Sequence, residues 1–150
     1  MLSVKFISHR TEAVASIRDA AARRMEAACI EVKNTTKETL SGQRHGKVYK
    51  VPTTGRGRIG EGRSIAGTGV RYTASAPGEA PAIRLGGLRA SVDYTVSGSG
   101  TRLTGDVGTP LKYGAPLEYG SLHISPRPWL KKSFEKSVGR ILEIWGRKWL

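Results

Sequence analysis

The chain has 150 residues, is 38% hydrophobic and sets 25 lysines and arginines against 12 aspartates and glutamates, for a formal net charge of +13 and a pI near 10.4. That length fits one domain able to bury a core without staples, and the composition excludes a broadly disordered polymer. The charge points to a polyanionic partner (nucleic acid, an acidic protein surface or anionic lipid), while the lack of any run of 18 apolar residues excludes a transmembrane helix.

In chain order, Val4-Lys5-Phe6-Ile7 reads as a short strand. Lys5 interrupts its apolar residues and polar ones follow, so no signal-peptide core is expected and synthesis in the cytoplasm is. Thr11 is a plausible N-cap, with Glu12 in the first turn. Val14, Ile17, Ala21, Met25, Ala28 and Val32 then recur every three or four residues on one helical face, opposite Arg18, Arg23, Glu26, Lys33 and Lys37. The helix is predicted over 12–40, ended by Ser41-Gly42. At about 43 Å it is long for such a domain, so part of its stripe is expected to pack on a neighbouring subunit. The only cysteine, Cys29, sits in this pattern as a small core residue; alone, it forms no internal disulfide.

Residues 41–90 change character. Arg44, Lys47, Lys50, Arg56, Arg58, Arg63, Arg71, Arg84 and Arg89 stand against Glu61 and Glu79, so this stretch holds more than half of the net charge. Gly55-Arg-Gly-Arg-Ile-Gly-Glu-Gly-Arg63 has no periodicity and reads as an exposed loop, spanning about 53–69. Pro77-Gly78 favours a tight turn and Pro81 keeps Ala80 extended, so residues 75–82 are expected to form a semi-rigid arm reaching a neighbour. A hairpin follows: Val92, Tyr94 and Val96 alternate with polar residues, Ser97–Gly100 makes the turn, and Leu103, Gly105 and Val107 return. A short connecting element spans Tyr113–Gly120. Pro126 and Pro128 then bracket Arg127 and open a second helix. Its apolar face is Leu130, Phe134, Val138, Ile141 and Trp145, the first four expected to pack on the hairpin. The predicted class is α+β, a single domain over 1–150: a small antiparallel sheet with a long N-terminal helix, a C-terminal helix and a long basic Gly/Arg loop.

Chemical motifs are weak. Gly55-x-Gly57-x-x-Gly60 matches a dinucleotide fingerprint but has neither the strand before it nor the helix after it that phosphate binding requires. His9, His45 and His123 have no metal-ligand spacing with Cys29 or the carboxylates, and no glycine-framed nucleophile elbow occurs. Glu118 has no obvious second carboxylate, which favours a hydrogen-bonding role over acid catalysis. No cofactor, no metal and no enzymatic activity are expected. Tyr49 and Tyr72 are the only aromatics near the basic loop, too few for sequence-specific single-strand recognition.

Five segments resemble one family in order and spacing. They are Gly46-Lys-Val-Tyr49, Tyr72-Thr-Ala-Ser-Ala-Pro-Gly-Glu-Ala-Pro-Ala82, Gly87-Leu-Arg-Ala-Ser91, Tyr113-Gly-Ala-Pro-Leu-Glu-Tyr-Gly120 and Arg127-Pro-Trp-Leu130. Across about residues 42–135 the chain resembles the head–tail joining, or neck, proteins of lambdoid-type siphophages, the gene-product-ten-like minor tail and tail-completion family. It departs from that pattern at Gly114, where alanine is usual, and in its expanded Gly/Arg insertion.

The resemblance implies a virion structural protein, assembled in the host bacterial cytoplasm, that forms a homo-oligomeric and typically six-fold ring. The ring would lie between the head connector or stopper and the tail terminator or tail-tube protein, with DNA passing through its centre and no membrane involved. Pro77, Gly78, Pro81, Glu118 and Arg127 are then the expected subunit or ring contacts. Arg56, Arg58 and Arg63 are expected to reach the acidic face of an adjacent ring or the DNA. The alternative is a basic nucleic-acid-binding protein, which would be a monomer with salt-sensitive DNA affinity.

Overall fold

The computed structural model describes residues 10–51, 70–83, 85–99 and 102–148. The expected strand at 4–7 and the Arg/Gly segment with Arg56, Arg58 and Arg63 lie outside these residues. The fold is α+β, as expected. Its elements in order are α1 (Arg10–Ser41), β1 (Val48–Val51), β2 (Val70–Thr73), α2 (Gly87–Ser91), β3 (Asp93–Ser99), β4 (Arg102–Gly108), α3 (Gly114–Tyr119) and α4 (Leu130–Gly146).

Helix α1 is the axis of the molecule. It packs on the antiparallel β3–β4 ribbon and on α4. The ribbon meets α1 at Gly105, where a Cβ would fall 2.4 Å from the Cys29 sulfur and 2.9 Å from that of Met25. Glycine is thus what lets strand and helix approach closely. At the ribbon's edge Lys33 pairs with Asp93 at 2.8 Å, and the Tyr94 hydroxyl donates to Glu26. Helix α4 runs antiparallel to α1. Lys132, near its start, shares a cleft with Thr35 and Thr39 of α1, and the Trp145 carbonyl at its end accepts from Arg24. Ala28, Cys29, Val32, Thr36 and Leu40 are the buried residues of α1. Its first ten residues, Arg10–Asp19, are exposed on every side, about 15 Å of helix. Val14 and Ile17 of the predicted stripe are accordingly 46% and 48% exposed.

Three expectations are corrected. The first concerns residues 41–90, in which the sequence reading places no strand. Val48–Val51 and Val70–Thr73 pair in register, Tyr49 opposite Tyr72, and form a second two-stranded sheet separate from β3–β4. Both runs are rich in β-branched and aromatic residues, which suit a pleated ladder even when they flank a glycine-rich insertion. The second concerns the hairpin turn. Ser97, Gly98 and Ser99, expected in the turn, belong to the ladder, opposite Thr104, Leu103 and Arg102.

The third concerns α4, whose orientation is turned from the expected one. Its buried residues are Ser133, Ser137 and Ile144, and α1, not the hairpin, is its main neighbour. Phe134, Val138 and Leu142 are 53%, 38% and 66% exposed. The serines are tolerated inside because each satisfies its hydroxyl on its own helix. Ser133 donates to the Trp129 carbonyl and Ser137 to that of Ser133 at 2.8 Å, and Thr36 on α1 does the same to Val32 at 2.7 Å. Small self-satisfied side chains let two helices approach closely without a larger apolar filling.

Candidate functional site: the junction around Trp129

Four of the five segments of the resemblance meet around Trp129, and the first, Gly46–Tyr49, joins the second through backbone bonds to Ala74. Trp129 is 2% exposed and lies in the core cluster with Leu40, Ala80, Leu88 and Val92, flanked by Val107, Leu117 and Leu130. Its indole N–H donates to the Gly114 carbonyl at 3.3 Å. A Cβ at Gly114 would sit 2.5 Å from the Thr109 methyl, so the alanine usual in the resembling family does not fit here unless Thr109 moves.

Helix α4 opens on Pro126-Arg-Pro-Trp129 without a capping side chain of its own. Glu118 of α3 supplies one. Its carboxylate accepts the backbone N–H of Trp129 at 2.7 Å, of Leu130 at 2.9 Å and of Lys131 at 2.9 Å. These are the orphan donors that a helix start leaves unpaired, met by a negative charge at the positive end of the helix dipole. The other end of α4 has the opposite arrangement. The Arg24 guanidinium donates to the carbonyls of Trp145 at 3.1 Å, Arg147 at 2.8 Å and Lys148 at 2.7 Å. Arg44 closes α1 in the same way, donating to the carbonyls of Thr39 at 2.8 Å and Leu40 at 2.9 Å, and also to that of Pro81. Burial pulls its guanidinium below the ordinary value, against the influence of Glu79.

Residues 75–82 are bonded to the rest of their own chain, with the Pro77-Gly78 tip left exposed. Ala76–Glu79 is a type II turn: Pro77 holds the second position, Gly78 the third with φ +78°, and the Glu79 N–H returns to the Ala76 carbonyl at 3.1 Å. The Gly78 N–H donates to the Pro126 carbonyl at 3.1 Å, and the Lys132 ammonium to the Gly78 carbonyl at 2.6 Å. The Arg127 side chain donates to the buried Ser75 hydroxyl, and its backbone N–H to the Leu117 carbonyl at 2.8 Å. Ala80 and Pro81 are buried. The Glu79 carboxylate accepts the N–H of Ala76 at 2.9 Å, the N–H of His45 at 3.1 Å and the His45 ring at 2.8 Å. Those bonds, the Ala76 amide first, hold its pKa down at about 2.

Of the expected contact residues, the structure thus brings Pro77, Gly78, Pro81, Glu118 and Arg127 into one hydrogen-bonded junction, where only Pro77 and Gly78 are exposed. Arg56, Arg58 and Arg63 lie outside the described residues. Sequence reading missed Arg24, Arg44 and Glu79. Arg44 follows the Gly42 stop closely enough to be found as a helix closer, whereas nothing local marks Arg24. Cys29 is buried, and its thiol is pushed up first by burial, then by Asp106 and Glu26. Among the described residues no trio of histidine, cysteine, aspartate or glutamate could hold a metal ion, and no helix is long and apolar enough to cross a membrane. The β1–β2 sheet, joined to the junction by mutual backbone bonds between Gly46–Lys47 and Ala74, exposes Lys47, Lys50 and Arg71.

In comparisons with protein families, curated proteins and solved structures, the chain matches none.

Proposed function

We propose that the chain is a structural protein of a tailed-phage neck, forming a ring that joins the head connector to the tail and lets DNA pass. The observation that carries the reading is the junction around Trp129. Four of the five short segments whose order resembles the neck family pack around it, and the fifth, Gly46–Tyr49, is hydrogen-bonded to one of them at Ala74. The exposed first turns of α1 and the outward apolar stripe of α4 add surfaces that an assembling subunit needs and a monomer does not. The ring has no enzymatic role in this reading, and its partners are further copies of the chain, the head connector or stopper, and the tail terminator or tail-tube protein.

The test is a null allele in the encoding phage, complemented by the wild-type gene. The expected result is filled heads and separate tails without the protein, and joined particles with it. Joined virions formed at normal yield in its absence would refute the reading. A second reading, a nucleic-acid-binding protein, draws on the exposed Lys47, Lys50 and Arg71 of the β1–β2 sheet. It predicts a monomer whose DNA affinity falls steeply with salt.

A further inference from the structure

Several surface cations of the described residues meet carboxylates. Lys33 pairs with Asp93 and Arg140 with Glu143, and the cleft that holds Lys132 and Lys136 also holds Glu38 and Glu79. The β1–β2 sheet is different. Its register sets Lys50 directly opposite Arg71, and both are exposed. Like charges so placed oppose the pairing of a ladder, and among the described residues neither has a carboxylate partner. A ladder of four residues a side thus keeps a pair that works against it. Alternation puts Val48, Lys50, Arg71 and Thr73 on one face and Tyr49 and Tyr72 on the other, where the Lys47 ammonium lies 5.6 Å over the Tyr49 ring. Beside Arg71 and Thr73 the sheet borders a groove of about 480 Å³, lined also by Ser41, Gln43, Arg44 and His45 and by no carboxylate. Arg44 is committed to backbone carbonyls and the His45 ring to Glu79, which leaves Arg71 for a ligand.

We propose that the Lys50–Arg71 face of the β1–β2 sheet docks on the phosphate backbone of a nucleic-acid duplex, without regard to base sequence. A phosphate seated between the two cations replaces their repulsion with a shared attraction, and a duplex offers a charge about every 1.7 Å of its axis. Lysine, arginine, threonine and glutamine are among the side chains that contact phosphates. An acidic protein is the poorer match. The cores of protein interfaces are depleted in lysine and rich in aromatic anchors, and the aromatic side chains of this sheet are on its other face. The same placement disfavours a single strand, whose bases need an aromatic platform beside the cations that hold its phosphates. The surface serves a ring subunit and a monomer alike, and the joining of heads to tails in the experiment above does not depend on it.

The experiment measures, by fluorescence anisotropy of the full chain between about 50 and 200 mM salt, the affinity for a labelled DNA duplex of arbitrary sequence, for either of its strands alone and for poly-glutamate. Each lost phosphate contact flattens the plot of log affinity against log salt by about 0.9, so Lys50→Gln with Arg71→Gln is expected to flatten it by about 1.8. Lys112→Gln with Lys131→Gln removes the same charge from exposed positions outside the sheet and is expected to change the slope by less than half as much. Lys50→Arg with Arg71→Lys keeps the charge and should keep the slope. Urea melts check folding, and the glutamine pair in the sheet should be no less stable than wild type, since it removes a repulsion. If that pair melts early, the single variants carry the test, each with an expected flattening of about 0.9. The proposal is overturned if the two glutamine pairs act equally, or if only Arg56→Ser, Arg58→Ser and Arg63→Ser together reduce the slope. It is equally overturned if a single strand or poly-glutamate binds as tightly as the duplex, or if the wild-type chain has no duplex affinity at the lowest salt.

Discussion

Replacing Glu118 should destabilise the protein more than any exposed carboxylate would. Its two oxygens accept three backbone N–H groups at 2.7–2.9 Å at the start of α4, and the residue is 8% exposed. A net bond to a charged group is worth about 1.5–3 kcal/mol, and loss of a helix cap about 0.5–2 kcal/mol. Three bonds to one carboxylate are not additive. In Glu118→Ala water can reach the partly buried Leu130 and Lys131 amides but not the buried Trp129 amide. A loss of about 2–4 kcal/mol follows, a large share of the roughly 5–15 kcal/mol that holds a domain together. Glu118→Gln keeps one oxygen for two donors and loses the charge at the helix dipole, so about half that loss is expected. Urea unfolding followed by circular dichroism at neutral pH would show a lower midpoint at an unchanged slope. A Glu118→Ala protein within about 0.5 kcal/mol of wild type, the range of ordinary surface changes, would refute the capping argument.

Gly105→Ala should cost about 1–3 kcal/mol by pushing β4 away from Cys29 and Met25. Adding Cys29→Ala should recover part of it in the same melts, and a double variant no better than the sum of the singles would count against the contact. Phe134→Ala should cost about 1 kcal/mol or less, because the ring is half exposed, whereas a buried phenylalanine would cost about 3–5 kcal/mol. A loss in that upper range would put the ring inside the subunit. For Glu79, the folded pKa of about 2 lies below the ordinary 4.5. Its contribution to stability is therefore complete above pH 4.5 and disappears as pH falls toward 2. The stability gap between wild type and Glu79→Gln should narrow across that window, and a gap independent of pH would refute the assignment.

How much was legible in the sequence follows from the range of the forces involved. The long helix could be read because its period of three to four residues and its Ser41-Gly42 stop are local signals, and α1 ends at Ser41. The β3–β4 ladder could be read from alternation alone. The β1–β2 ladder was legible in principle, since Val48–Val51 and Val70–Thr73 have strand composition, but the intervening insertion hid their pairing. The junction was legible only as segments. That Ser75 meets Arg127, or that Glu118 caps a helix eleven residues away, depends on tertiary placement that no local window contains.

The failure at α4 follows from a rule that assigns every regular apolar stripe to the core. Leu130, Phe134, Val138, Ile141 and Trp145 form the most regular apolar stripe in the chain, and the rule assigns that stripe to the core. The structure instead buries Ser133 and Ser137 and turns Phe134 and Val138 outward. Two polar residues would not displace two apolar ones from a core without compensation. It comes from the back-bonded hydroxyls, which make the seam with α1 narrow and polar at little cost. Local pattern and global fold disagree mostly where a protein serves something beyond its own stability. The apolar stripe of α4 therefore keeps its ordinary meaning, a surface suited to lie under another, although no described residue of the chain covers Phe134, Val138 and Leu142.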